Sequence, residues 1–305
     1  MWKTILVGND AILTVETGWL CVSRPDKLTR IPIEDVYSVV IDDPRCRISA
    51  ASMNALTQSG AHIILCDEKH LPATLVLPLA RHYRADAVLK EQIALPENVR
   101  DELWAAVVRA KIKNQITVLK LCGVPAERWS DIPQYADIVL SGDKRNAEAT
   151  VARKYFRALF GSVFRRTDED VTNAALNYGY AIMRSAMAKS LAAYGLNCAL
   201  GIHHTGEGNA FHLADDLMEP LRPLVDYWTD SHIDELFDTL TASNRRNLID
   251  LVNRTVLFDG KRMRVRYAID LYASSLARAI REQKEECLKF PELLALDVPP
   301  EDEGE

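Results

Sequence analysis

The chain has 305 residues, 48% of them hydrophobic and 26% charged, a composition that fits a globular protein with material for two cores. No apolar run approaches the roughly 18 residues that span a bilayer, and the opening M-W-K-T-I-L-V-G-N-D lacks the order of a signal peptide, so a cytoplasmic protein with no membrane attachment is expected. The net charge of −6 argues against a nucleic-acid partner only until its distribution is read: residues 282–305 hold nine acids against two lysines, which leaves residues 1–281 near +1.

Residues 1–78 read as a β-rich domain. Thr4–Val7, Ile12–Val15, Trp19–Ser23, Leu28–Pro32, Val36–Ile41, Ile63–Cys66 and Thr74–Leu77 are short β-branched or aromatic runs broken by Gly, Asp, Asn and Pro. Ser49 to Gly60 interrupts them as a short helix with a Ser at its start and Gly at its stop. His62 and His70 read as structural residues. A linker or helix covers 79–97, and from residue 98 to 281 the period is helical: Leu103, Val107, Val108, Ile112, Ile116 and Leu119 form one stripe before Gly123, and Ala174 to Tyr194 form another before Gly195. The architecture expected is α+β, a small N-terminal β-sheet domain followed by a larger all-α domain, with an acidic flexible tail over 282–305. Six cysteines lie scattered without a C-x-x-C pair and are expected to stay reduced.

The chemistry-bearing residues sit in the helical part. In S-G-D-K-R-N-A-E-A-T-V-A-R-K-Y-F-R-A-L-F-G (141–161), Ala152, Tyr155, Phe156 and Leu159 follow Glu148 at helical offsets. A carboxylate among apolar side chains must be protonated, paired or bound to a cation; placed in a first turn, it also stabilises the helix macrodipole. Phe211, Leu213, Leu217, Leu221, Leu224, Val225 and Trp228 make one stripe of a helix, from which Asp216 and Glu219 project together just after a loop containing His203 and His204. Oxygen-rich ligation with at most one imidazole suits Mg²⁺ or Mn²⁺ better than zinc. Alternatively, Glu219 pairs with Arg222 at i,i+3. Around Glu148, Lys144, Arg145, Arg153, Lys154, Arg157, Arg165 and Arg166 outnumber the acids seven to two within 143–166, forming either a phosphate-tracking surface or a solvated helix face. Asp259-Gly260 signals a two-residue hairpin, after which Lys261, Arg262, Arg264 and Arg266 offer cations, the arginines alternating at period two on one strand face. Asn177, inside an apolar helix, reads as a buried, hydrogen-bonded residue.

Four stretches carry a resemblance to a known family: S-G-D-K-R-N-A-E-A (141–149), V-T-N-A-A-L-N-Y-G-Y-A (171–181), L-G-I-H-H-T-G (200–206) and D-L-M-E-P-L-R-P-L-V-D (216–226). In this order, and over about the first 230 residues, the chain resembles the CRISPR-associated adaptation integrases, the metal-dependent endonuclease subunit that inserts new spacers into a CRISPR array. The wording is closest to the type II variant. The resemblance implies metal ligands at Glu148, His204 and Glu219, with Asp216 as the nearby acid. His204 is chosen over His203 because it directly precedes Thr205-Gly206, leaving His203 to pack inward, and Glu219 stands where many relatives carry Asp.

That resemblance further implies Mg²⁺ or Mn²⁺ as cofactor and attack of a DNA 3′-hydroxyl or water on a phosphodiester of double-stranded or branched DNA, for which the basic residues above and Arg222 are the candidate DNA contacts. It implies a homodimer formed largely through the β-domain, a small ferredoxin-like second CRISPR adaptation subunit as partner, and other type II CRISPR proteins. Two other classes fit the residues alone: a metal-dependent phosphohydrolase of small substrates, and a non-catalytic DNA-binding scaffold.

Overall fold

Short β-branched runs punctuated by turn residues fold as strands from the start of the chain. The structure, a computed structural model, describes residues 2–8, 10–78 and 82–297. It divides into two units, Met1–Ala80 and Arg81–Glu305. The first holds β1 (Lys3–Val7), β2 (Ile12–Glu16), β3 (Trp19–Arg24), β4 (Lys27–Pro32), β5 (Val36–Ile41), β6 (Arg47–Ile48), α1 (Ala50–Ser59), β7 (His62–Cys66) and β8 (Pro72–Val76). Two four-stranded sheets result, ordered β1-β5-β7-β8 and β4-β3-β2-β6. The central strand β5 is buried along its whole length between parallel partners β1 and β7, as the near-continuous apolar run V-Y-S-V-V-I requires. Val7, Leu13, Leu20, Val39, Leu56 and Ile63 meet in the core. Ser49 caps α1 through the Ser52 N–H, and Gly60 ends it at φ 102°. His62 is buried edge-on against Tyr37, and His70 bonds the Asp42 carbonyl, so both are structural.

The second unit is mostly helical. It contains α2 (Ala85–Ile93), α3 (Glu97–Leu121), α4 (Pro133–Ile138), α5 (Ala147–Phe160), α6 (Val171–Ala193), α7 (His212–Met218), α8 (Arg222–Ser231), α9 (Ala242–Asp250), β9 (Thr255–Phe258), β10 (Lys261–Arg264), α10 (Val265–Glu282) and β11 (Pro291–Leu293). Helix α3 buries Leu103, Val107, Val108, Ile112 and Leu119 and packs against α4, α5, α8 and the turn at 219–221. Helix α6 packs against α7, α8, α9 and α10. Its approach to α8 depends on Gly179, where a Cβ would lie 2.4 Å from Val225 Cγ1. Among the described residues no helix is long and apolar enough to cross a membrane.

Three expectations are corrected. The single helix expected through 211–228 is broken, because Pro220 and Pro223 cannot donate backbone bonds; a 3₁₀ turn at Glu219–Leu221 separates α7 from α8. The segment expected to be a flexible tail from 282 is structured as far as residue 297. Its Pro291–Leu293 pairs antiparallel with β9 and is held by the buried Asn114 amide, which bonds the carbonyls of Pro220 and Pro291 and accepts from Leu293 N–H. The acidic end at 298–305 lies outside the described residues. Finally, the hairpin forms at Asp259-Gly260, both with positive φ, but β10 ends at Arg264. Arg266 therefore belongs to α10, is 4% exposed, and bonds Asn253 and Tyr267, so the three arginines do not share a strand face.

Candidate active site

Two carboxylates reach one cation from separate elements. Glu148 enters on the first turn of α5, whose leading N–H groups of Ala147 and Glu148 are capped by the Asp143 carboxylate at 2.8 and 2.9 Å. Glu219 enters at the proline-broken turn between α7 and α8. Both meet the ammonium of Lys111 on α3: Glu148 through Oε1, and Glu219 through Oε2 at 2.5 Å. Lys111 continues the stripe Leu103, Val107 at the next four-residue step, so a charged residue at core spacing was the sequence signal for it. Arg222 Nε also pairs with Glu219 Oε1 at 2.6 Å, the i,i+3 contact open from the sequence. Burial pushes the Glu219 carboxyl up, but Arg222 and Lys111 overcome it and hold it well below the usual carboxylate range. Burial likewise opposes the charge on Lys111, and Glu219 and Glu148 outweigh it.

The histidine loop is arranged around Asp216, which is fully buried. Its Oδ2 accepts from the N–H groups of Ile202 and His203 at 2.8 and 3.0 Å, and its Oδ1 from His204 N–H at 3.2 Å. Gly201 permits this wrap, since a Cβ there would lie 2.4 Å from the His204 carbonyl oxygen and 2.8 Å from Asp216 Oδ2. Asp216 Oδ1 also takes His204 Nδ1 at 2.5 Å. A carboxylate only accepts, so Nδ1 donates, and in the neutral ring the lone pair lies on Nε2. That bond raises the imidazole pKa against the opposing effect of burial. His203 stacks flat on Trp104 at 4.2 Å, while His204 meets the same indole edge-on at 5.7 Å. Asp216 thus orients the loop and the His204 ring.

The donor chemistry suits a hard divalent ion. The Glu148 and Glu219 carboxylates share one small cation, the Lys111 ammonium. The imidazole stands off from that pair: among the described residues no three His, Cys, Asp or Glu side chains gather to ligate one ion.

Known proteins supply the last observation. Residues 4–236 match the family model described as CRISPR associated protein Cas1. The chain belongs to the Cas1 family. It is 36% identical over 300 residues, 97% of each chain, to the CRISPR-associated endonuclease Cas1 of Neisseria meningitidis serogroup C. Its fold is similar to a casposase bound to integration product, with a TM-score of 0.77, 20% identity, and coverage of 93% of this chain and 92% of that one. It is also similar to a chain of a Cas6-RT-Cas1–Cas2 complex, with a TM-score of 0.74, 20% identity, and 96% of this chain against 36% of that one. CRISPR spacer acquisition, expected from the motifs, is the function this Cas1 chain serves.

In this Cas1 chain the basic residues divide. Lys144, Arg145, Arg153, Arg157 and Arg165 on α5 and its flanking loops are exposed, as are Lys261 and Arg262. Lys154 is committed to Asp131, Arg264 bonds the Asn253 carbonyl, and Arg266 is buried. Arg166 is held by Asn173 and by Asn177 at 2.7 Å and lies over the Tyr180 ring, so Asn177 is exposed and orients an arginine rather than filling the core. The Tyr180 ring also carries Arg222 at 4.5 Å, and its hydroxyl donates to buried Asp226.

Burial pushes the Asp226 carboxyl up to about 6, only partly offset by the Tyr180 hydroxyl. An acid whose folded pKa lies above its unfolded value of 3.8 costs nothing below that value and costs progressively more up to about 6. The full difference is about 3 kcal/mol, from roughly two units at 1.36 kcal/mol each. Asp226→Asn removes the charge, so its melting temperature relative to the native chain is expected to rise from pH 4 to 6 and then level off. A difference that is flat over this range would contradict the assignment.

Proposed function

We propose that the chain carries out spacer acquisition as a metal-dependent DNA endonuclease and integrase in which Glu148, His204 and Glu219 hold Mg²⁺ or Mn²⁺. One observation carries this reading: two carboxylates from distant parts of the chain converge on a single cationic position. A bound ion supplies Lewis-acid activation of a phosphodiester and stabilises the leaving 3′-oxygen. The rest falls to the chain's own groups. Asp216 fixes the imidazole, Lys111 and Arg222 offset charge developing on the phosphate, and exposed Lys144, Arg145, Arg153, Arg157 and Arg165 track the backbone. No protein nucleophile is needed, because a DNA 3′-hydroxyl or water attacks in line.

The partners proposed are double-stranded and branched DNA, a second copy of the chain, and a small ferredoxin-like adaptation subunit. Similarity to a chain of a complex that also contains Cas2 supports the last of these. A strand-transfer and nicking assay on branched DNA tests the reading. Activity with Mn²⁺ or Mg²⁺ and its loss in EDTA are expected. Undiminished activity in EDTA, or hydrolysis of small phosphate esters in place of DNA, would overturn it.

A further inference from the structure

One hydrogen bond does not fix an imidazole completely. The contact from His204 Nδ1 to Asp216 decides which nitrogen faces the buried carboxylate. A hydrogen bond keeps most of its strength through a swing of about 30°, however, and the outer torsion of a histidine side chain is broad. The His204 side chain is 50% exposed, so one flank lies open to solvent. A ring nitrogen that must meet its target from one direction needs the ring plane set as well.

Trp104 supplies that plane. It lies on α3, is 2% exposed, and stacks its indole within 2° of parallel on the His203 ring, with 4.2 Å between centroids. The His204 ring stands nearly upright to both, at 81° and 5.7 Å from the indole and at 83° and 5.2 Å from His203. These are edge-to-face separations at which aromatic rings attract. His203 is itself exposed and covers the buried indole from the solvent side. About two turns further along α3, on the same face, Lys111 meets Glu148 and Glu219. One rigid helix therefore backs both the imidazole and the carboxylate pair, and a helix holds such positions more precisely than a loop does.

Resting on the reading of His204 as a ligand, we infer that Trp104 is a positioning residue of the reaction: its indole, with His203 laid flat on it, fixes the plane of the His204 ring, while Asp216 fixes which nitrogen points outward. His203 then serves as a flat ring and not as a second ligand. The buried indole N–H has no acceptor among the described residues, so the site uses the face of the ring and not its donor, and replacement by phenylalanine forfeits no hydrogen bond.

The test uses the full chain with isotopically labelled histidine. Without metal, exchange of the His204 Nδ1–H with water is followed by nuclear magnetic resonance; with Mn²⁺, strand transfer on branched DNA and DNA affinity are measured. Trp104→Leu and His203→Leu remove a flat ring, whereas Trp104→Phe and His203→Phe keep one. The leucine variants are expected to exchange that proton about tenfold faster, as a local opening does. They are also expected to lose strand transfer on the order of 10- to 100-fold, with DNA affinity unchanged. The phenylalanine variants are expected to stay close to the native chain in all three measurements. Unchanged proton exchange in the leucine variants overturns the inference and leaves the metal-site reading untouched. A His203→Phe chain as defective in strand transfer as His203→Leu also overturns it, because a ligand and not a flat ring has then been lost. Faster exchange with undiminished strand transfer instead removes His204 from the reaction, and Trp104 with it. Should Trp104→Leu fail to fold, His203→Leu decides, since that side chain is exposed.

Discussion

Glu148→Ala is expected to lower strand transfer on branched DNA by roughly a thousandfold, the equivalent of about 4 kcal/mol of transition-state stabilisation, while the chain stays folded. The Glu148 side chain is 27% exposed and Lys111 keeps Glu219 as its counter-charge, so the structural cost is small. Glu219→Ala is expected to remove activity as fully but to differ in stability. Its side chain is 7% exposed and is the partner of both Lys111 and Arg222; removing one member of a buried ion-paired group costs about 3–5 kcal/mol. Strand-transfer rates and urea denaturation on both variants check the pair. Strand transfer within tenfold of the native rate in either variant, with Mn²⁺ supplied, removes that residue from the reaction. DNA affinity should be nearly unchanged in Glu148→Ala, which separates a catalytic carboxylate from a scaffold whose only task is to hold DNA.

The contrast between these two glutamates was hidden in the sequence, where each was an acid near an apolar stripe. Much of the fold was legible, because it follows from local signals: the strand runs before residue 78, the Ser49 and Gly60 boundaries of α1, the Asp259-Gly260 hairpin and the α3 stripe are all set by periodicity and turn chemistry. Convergence was not legible, since nothing local says that Lys111, Glu148 and Glu219 meet. The resemblance placed the two acids and the histidine, but the lysine between them emerges only when α3 packs against α5 and the 219–221 turn. The period-two reading of Arg266 failed for a related reason: Val265 and Arg266 satisfy a helix start as readily as a strand end, and packing of α10 against α6 decides the matter. The tail misled through its composition. Its acids are evident in sequence, whereas the Asn114 amide that seats Pro291–Leu293 lies 177 residues from Pro291.

Asp216→Ala should have the broadest effect of any single change, because this side chain joins the loop's fold to the site's chemistry. Three backbone N–H groups and the His204 ring all donate to it, and it is fully buried. Leaving buried donors unsatisfied costs about 1–3 kcal/mol each, and entry of water into the opened loop reduces the total to about 3–5 kcal/mol. Activity should fall about as far as in His204→Ala, since an unanchored imidazole no longer presents Nε2 in a fixed direction. A double-mutant cycle distinguishes this from a direct ligand role. If Asp216 acts through His204, removing both should cost little more activity than removing either one, whereas independent roles would multiply. Asp216→Asn should fall between, keeping one acceptor oxygen for the loop but turning an amide nitrogen toward N–H groups that need an acceptor. Multiplicative losses in the cycle would place Asp216 among the reacting groups instead of behind the imidazole.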